Sequence, residues 1–465
     1  MESPPTLTEL VARIYQADDA IQSFLNSYSI CKSNWTELFN LLTRENGNEE
    51  IYASAAREFY ELLDNGGADF QVQEKLNAKE DTEALTMAAS LLTALARHIA
   101  SDQSTDLSSY SEPYITSPEF GSIPYWLALE QPGKLLKAIV KKPRDLDSLH
   151  TTLWRYHTPL RVTPATFSGC TLERVVVDHS CESLLEQRAN TGQLLIAVSP
   201  ISDQAEIQGQ SEFCKTPVPH DLFHITEIGP LADQIDALKK VLEAAYASGV
   251  AVLVMPELRM PPELLNLVKQ FLKNQIVTSE NGVLLVAAGS WHTDVGKDRF
   301  NRCIVLNHLG DPMWSHDKLR EFTITPENVH ADPTFFAKIG VGSLGGSERI
   351  QRGTRLTFYD SILGRIAVAI CIGFFSPEVE PLMQASHAGV FLVPAMTPSM
   401  KDIEDRANAL VRTQHAFTFA ANCGRVGGDH TSLCRWPAAG MKAAKLSRGK
   451  SLLIYRLKDS STSEL

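Results

Sequence analysis

The chain has 465 residues, 44% hydrophobic and 21% charged, which suits a globular protein with a sizeable core and two or more domains. Its net charge of −12, from 43 basic and 55 acidic residues without a basic block, argues against nucleic acid as the main ligand, because phosphate contacts need clustered lysine and arginine. No basic segment followed by an apolar run opens the sequence at Met1 to Pro5, and the longest apolar stretch, Ile366 to Phe375, is too short for a bilayer span, so a cytoplasmic protein is expected.

The first hundred residues read as helices. Leu10, Ile14 and Ile21 recur at helical spacing through 6–28, and Asn34 with Glu37 forms a plausible cap pair opening 34–44. Segment 50–64 is periodic and stops at Asn65-Gly66-Gly67; segment 81–100 starts at Asp81 and is rich in Ala and Leu. Ser101 to Glu112, rich in Ser and Asp, reads as a linker. Residues 113–190 are mixed, with one short apolar run at Val175 to Val177. The organisation expected is a helical accessory region at 1–110, a connecting region at 111–191 and a third domain at 192–455.

From Leu194 the pattern changes. Strand-length apolar runs at 194–198, 250–255, 283–288, 303–306, 366–371 and 389–393 alternate with helical segments. One helix spans 231–248, with Leu231, Ile235, Leu238, Leu242 and Ala245 on one face and Gly249 as its stop. Continuous apolar strands alternating with helices predict an α/β domain whose sheets are covered by helices. Residues 199–227 read as an insertion after the first strand.

The eight cysteines (31, 170, 181, 214, 303, 371, 423 and 434) include no C-x-x-C pair, which favours reduced thiols over disulfides or zinc. Each is by default a small core hydrophobe. Three strand ends nevertheless carry unusual groups. Val250 to Met255 ends in Pro256-Glu257-Leu258, the segment after 303–306 leads into His316-Asp317-Lys318, and Ile366 to Ile370 ends in Cys371-Ile372-Gly373. A thiol, a carboxylate and an ammonium can attack a carbonyl or nitrile carbon, move protons and hold the developing negative charge. Taken singly, each position also suits a solvated turn, a surface charge or a core thiol.

Taken together, Leu253 to Leu258, the Lys318 segment and Ile370-Cys371 resemble the ordered Glu, Lys and Cys motifs of the nitrilase (carbon–nitrogen hydrolase) superfamily. The likeness takes in Ala244 to Gly249, Phe300-Asn301, Asn307 to Gly310, Gly353, Asp360, Gly364-Arg365, Ser376 to Glu378, Gly389 to Ala395 and Ala420 to Asn422, and runs from about 194 to 440. It implies a four-layer α-β-β-α sandwich, commonly paired into dimers. It also implies Glu257 as general base, Lys318 as oxyanion stabiliser, Cys371 as nucleophile and the Ile372 backbone amide as second oxyanion donor. Members often have a further glutamate after the lysine; Glu327 is the candidate, with Glu321 second. Lys318 favours thiolate at Cys371 while burial opposes it.

The sequence departs from the pattern in places. Ile372 and Gly373 stand where the family has an aromatic and an acidic residue, Phe375 where arginine is common, and Thr413 where a glutamate is frequent. These changes remove polar partners near the nucleophile.

Other motifs read as structural. Gly340 to Gly345 is a literal G-x-G-x-x-G, but a Gly/Arg-rich loop and a strand-like run follow it rather than a helix. His387 and His415 are taken as structural or surface histidines, and His292 and His316 show no metal-ligand spacing. Arg406, Arg412 and Arg425 could hold a substrate carboxylate, with salt bridging as the blander role. The loops 259–282, 319–352 and 396–408 carry no decodable pattern. The expected activity is hydrolysis of an amide, nitrile or carbamoyl group through a cysteine acyl-thioester, with no cofactor or metal. The alternative is a catalytically weak fold serving as an oligomerisation or regulatory module. Expected partners are a small amide or nitrile, a second copy of the chain, and a protein bound by the N-terminal helices.

Overall fold

The computed structural model describes residues 6–15, 20–34, 37–38, 48–64, 72, 76, 80–101, 113–116, 124–129, 160–175, 179–201, 206–215, 219–414, 416–423, 430–436, 443–447, 449–456 and 461–465. The chain divides into two compact units, 1–131 with 143–166, and 132–142 with 167–465.

The first unit is helical with a small sheet. Its helices are α1 (Leu7–Ala12), α2 (Ala20–Ser33), α3 (Asn48–Asp64) and α4 (Asp81–Ser101). The single helix expected over 6–28 is therefore two. α1 opens on a capping box, with Glu9 N–H donating to Thr6 Oγ1 at 3.3 Å and Thr6 N–H donating to Glu9 Oε2 at 2.8 Å. It stops at Arg13, whose backbone leaves the helical region at φ −103°, ψ 2°. Phe24 and Leu25 of α2, Phe59 of α3 and Leu85, Leu92 and Leu95 of α4 share one core. Strands β1 (Tyr114–Ile115), β2 (Pro124–Leu129) and β3 (Leu160–Pro164) form an antiparallel sheet. The predicted segment 34–44 and linker 101–112 lie almost wholly outside the described residues.

The second unit is mixed α/β. Its first large sheet contains β5 (Leu195–Val198), β8 (Val252–Val254), β9 (Leu285–Val295), β10 (Asp298–Asn307), β11 (Pro312–Asp317), β20 (Leu453–Arg456) and β21 (Ser461–Glu464), in spatial order β11-β10-β9-β8-β5-β20-β21. The other contains β4 (Cys170–Val175), β14 (Arg355–Ser361), β15 (Gly364–Val368), β16 (Val390–Ala395), β17 (Phe417–Asn422), β18 (His430–Arg435) and β19 (Ala443–Ser447), in order β19-β18-β17-β16-β15-β14-β4. Five of the apolar runs read from the sequence become parallel strands, β5, β8 and β9 in one sheet and β15 and β16 in the other, where β17 joins them; the run 303–306 lies in antiparallel β10. Strands buried on both faces need such runs, and β8, β15, β16 and β17 are buried at every residue.

β8 and β9 meet β16, and β5 and β8 meet β17, so the two sheets face each other. Helices α6 (Leu231–Ala247) and α7 (Pro262–Asn274) cover the first sheet through Leu238, Leu242, Leu264 and Val268. Helix α12 (Lys401–Gln414) lies on β17 and β18. The segment read as an insertion is an antiparallel hairpin, β6 (Glu206–Cys214) and β7 (His220–Gly229). It builds a small sheet with β12 (Thr323–Ile324) and β13 (Gly346–Glu348), in order β12-β13-β7-β6. Gly340 to Gly345 leads into β13 as a loop, with Gly342 N–H donating to Asp221 Oδ2 at 2.7 Å. Among the described residues no helix is long and apolar enough to cross a membrane.

Candidate active site

Glu257, Cys371, Met396 and Cys423 all fall just past the carboxyl ends of parallel strands, where side chains escape the sheet and ligands commonly bind. The turn carrying Glu257 is clamped from β9. Ser290 N–H donates to the Pro256 carbonyl at 3.2 Å, and Leu258 N–H donates to Ser290 Oγ at 3.2 Å. This needs a bulge in β9 between Ala287 and Ser290, and Gly289 supplies it at φ +67°. A Cβ there would sit 2.3 Å from the Pro256 oxygen. Lys318, at the end of β11, is held through its backbone: its N–H donates to the Asn301 carbonyl and its carbonyl accepts from Gly353 N–H, both at 2.9 Å.

Cys371 sits on a sharp elbow between β15 and the short helix α10 (Ile372–Phe375), at φ +46°, ψ −115°. A non-glycine residue in such a conformation costs about 1–3 kcal/mol. The surroundings hold it: Cys371 N–H donates to the Pro394 carbonyl of β16 at 2.9 Å, and Phe374 N–H donates back to the Cys371 carbonyl at 2.8 Å. Ile372 N–H is the first of its helix, so geometry gives it no intrahelical acceptor.

The charged groups converge. Lys318 Nζ lies 2.7 Å from Glu257 Oε1 and 2.6 Å from Glu348 Oε2. Asn301 Nδ2 bridges the two carboxylates, donating to Glu257 Oε1 at 2.9 Å and Glu348 Oε1 at 2.8 Å. Met396 N–H donates to Glu257 Oε2 at 3.0 Å, and the Cys371 sulfur lies 4.0 Å from the Met396 carbonyl oxygen. Exposures are 2% for Glu257, 1% for Lys318, 3% for Glu348 and 3% for Cys371, so nearly all of this polarity is withdrawn from bulk water. An ammonium has three donors. Glu257 and Glu348 take two of them and leave one for a substrate oxygen.

Burial alone would discharge this cluster, and the neighbours decide otherwise. Burial pushes Lys318 down, but Glu257 and Glu348 together outweigh it and hold the ammonium charged above its usual range. Burial pushes Glu348 up, but Lys318 and His292 outweigh it and hold the carboxyl below the usual range. Cys371 goes the other way. Burial first and Glu257 second raise its thiol well above the ordinary value, against the opposing pull of Lys318. The resting nucleophile is a thiol beside the Glu257 carboxyl group.

The structure brings Glu257, Lys318 and Cys371 together. Glu327 is not among them: it is exposed in the first turn of α8 (Pro326–Ala331), which opens on a cap formed by Thr325 and Asn328. Glu321 is paired with Arg352. The second glutamate beside the lysine is Glu348, which the sequence did not single out. His292 was likewise read only for metal spacing. Its Nε2 meets Glu348 Oε1 at 2.8 Å, while its Nδ1 accepts from Ile225 N–H at 2.8 Å, which fixes the tautomer with the proton on Nε2. Asn301 was legible as part of a motif, but not as the bridge. Arg406 pairs with Glu380, His387 follows helix α11 (Glu380–Ala385) away from the cluster, and His415 and Arg425 lie outside the described residues. Among the described residues no group of His, Cys, Asp and Glu is arranged to hold a metal. An open cleft of about 950 Å³, lined by His224, Arg299, Arg349 and Arg352, reaches Glu348 from the hairpin side but does not include Cys371.

No family model matches the chain, and no curated protein matches it by sequence. Its structural neighbours are members of the nitrilase superfamily. Saccharomyces cerevisiae Nit3, a member of branch 10 of that superfamily, is 14% identical at a TM-score of 0.36, covering 57% of this chain and 89% of its own. An amidase from Nesterenkonia sp. is 16% identical at 0.34, covering 56% and 89%. The C. elegans NitFhit protein is 14% identical at 0.37, covering 58% of this chain and 57% of its own.

Proposed function

We propose that the second unit hydrolyses a carbon–nitrogen bond other than a peptide bond, an amide first, with nitrile and carbamoyl groups as the other candidates. The observation that carries this reading is the buried Glu257–Lys318–Glu348 cluster facing a thiol on a strained elbow. Its two facing sheets with helices outside them suit an α-β-β-α sandwich, preceded by a helical unit.

The chemistry follows from what each group can do. Glu257 takes the Cys371 proton as sulfur attacks the carbonyl carbon, so no resting thiolate is needed. Negative charge develops on the carbonyl oxygen, where the third Lys318 donor and the Ile372 amide meet it. Collapse of the adduct breaks the C–N bond, and Glu257 returns the proton to the leaving nitrogen. An acyl-thioester remains on Cys371. Water then gives a proton to Glu257 and attacks the thioester; the acid leaves and the thiol re-forms. Glu348, anchored by His292, Asn301 and Phe322 N–H, keeps Lys318 charged and aimed. No step needs a metal or cofactor.

The test is intact-protein mass spectrometry after mixing with short aliphatic amides. An added acyl mass is expected on the wild type and not on Cys371→Ala. A mass that persists in Cys371→Ala would overturn the mechanism. The second reading, a catalytically weak module, is favoured by the apolar Ile372, Gly373 and Phe375 beside the thiol. It predicts no acyl adduct with any amide.

A further inference from the structure

The bulge in β9 leaves a hollow beside the start of α7. Ala288 and Gly289, two small residues, follow one another where the register with β10 shifts, so no large side chain covers the strand there. The first turn of α7 borders the gap without filling it. The result is a pocket of about 150 Å³, partly open to solvent and lined by Met260, Leu265, Ala288, Gly289, Trp291 and Ile304.

Size and lining define the occupant. A hollow of this volume holds a single benzene-sized ring. Trp291, 9% exposed, offers an aromatic surface, and Met260, 3% exposed, a polarisable thioether; both attract aromatic rings. Ala288 and Ile304 add aliphatic wall, and covering it removes wall and ring together from water. The polar element is Arg302, which also lines the pocket. Its Nε and Nη2 donate to Asp317 at 2.6 and 2.8 Å, which balances its charge and leaves Nη1 for one more acceptor. A neutral oxygen suits that donor, whereas a carboxylate would meet the charge of Asp317.

The pocket shares its walls with the clamp on the Glu257 turn. Met260 belongs to the segment that carries the carboxyl group, and its N–H donates to the Ser290 carbonyl at 3.3 Å. Gly289 precedes Ser290, whose N–H and Oγ hold the Pro256 carbonyl and the Leu258 N–H. A molecule packed against Met260 and Gly289 therefore bears on both sides of the clamp, and opening the clamp disrupts the pocket. We propose that this pocket binds a neutral single-ring aromatic molecule carrying one oxygen acceptor, and that its occupancy tightens the clamp on the Glu257 turn. It is a second site, since neither Cys371 nor Lys318 lines it.

Phenol is the probe, with toluene as the same ring lacking the oxygen and naphthol as the larger ring. The wild-type protein is titrated with each, and binding is followed through the ligands' own NMR signals. Phenol should bind about 3- to 10-fold tighter than toluene, and naphthol should not enter. Leu265→Trp, which fills the pocket from α7, should abolish phenol binding, and Arg302→Met should erase the difference between phenol and toluene. If Leu265→Trp does not fold, Arg302→Met and the size series decide. In hydrogen exchange, phenol at about ten times its Kd should slow the Leu258, Met260 and Ser290 amides about tenfold, because openings that expel the ligand become that much rarer. Absence of binding, phenol no tighter than toluene, equal uptake of naphthol, binding that survives Leu265→Trp, or exchange indifferent to phenol overturns the proposal. None of these measurements depends on acyl transfer to Cys371, so the hydrolase reading stands or falls separately.

Discussion

At the scale of single residues, the cluster has a lysine kept charged and a thiol kept neutral within one buried space. Glu257→Gln should lower the turnover rate about 10²- to 10⁴-fold, because it removes the proton acceptor while keeping its shape; a smaller loss would mean another base. The raised thiol makes a second expectation. Alkylation of Cys371 should be slow at neutral pH and speed up about tenfold per unit over pH 7 to 9, behind the half-buried Cys170 and Cys214. A rate that is already flat at pH 7 would show a resting thiolate. For Glu348 the sign is opposite. Its folded carboxyl titrates below the ordinary value of 4.5, so its contribution is present above that pH and fades as pH falls through the folded value. Glu348→Gln should cost about 3–5 kcal/mol at pH 7 in denaturant melts, and the gap to wild type should narrow below pH 4.5. A gap that widens in acid would mean that Glu348 is not held charged by Lys318.

At the scale of elements, legibility followed strand length. Glu257 and Cys371 end apolar runs long enough to read as buried strands, and Lys318 follows a segment with its own motif. Glu348 had no such signal. Its strand is three residues in a glycine- and arginine-rich loop, placed by antiparallel pairing with the two-residue β12 and by parallel pairing with β7, more than a hundred residues upstream. Spacing after the lysine pointed to Glu327 because distance along a loop carries no information about where the loop returns. His292 was hidden for a related reason: its partners, Ile225 and Glu348, come from β7 and β13. The bulge in β9 is the element most exposed to test. Gly289→Ala should destabilise the second unit by more than about 1 kcal/mol and depress activity in the folded fraction, since the Glu257 turn must shift to clear the Pro256 oxygen. Wild-type activity and melting would show that the clamp is not needed.

At the scale of the whole molecule, the two units have separate cores: Leu92 lies in the helical one, Leu242 in the α/β one. Leu92→Ala should lower the stability of the first unit by about 2–5 kcal/mol and shift one of two unfolding transitions, leaving the Cys371 adduct chemistry intact. One shared transition moving as a whole would show that the units fold as a single cooperative body. Helices at 48–64 and 81–101 were readable from periodicity. The boundary at Thr166 was not, because 113–190 offers no run or stop signal strong enough to place it.

Among the described residues, the hairpin β6–β7 makes its hydrogen bond to the cluster through a backbone N–H, that of Ile225. A peptide group is common to every residue but proline, so the exposed side chains of this hairpin can change without touching the chemistry, while Ile207, Phe223, Ile225 and Ile228 are held by the core they share with Trp291. Nor can its length change. Adding or deleting one residue between 206 and 225 would replace the donor by its neighbour, pointing the other way, and leave His292 free to turn. Relatives of this protein should therefore vary in the exposed letters of the hairpin and keep its buried ones and its count.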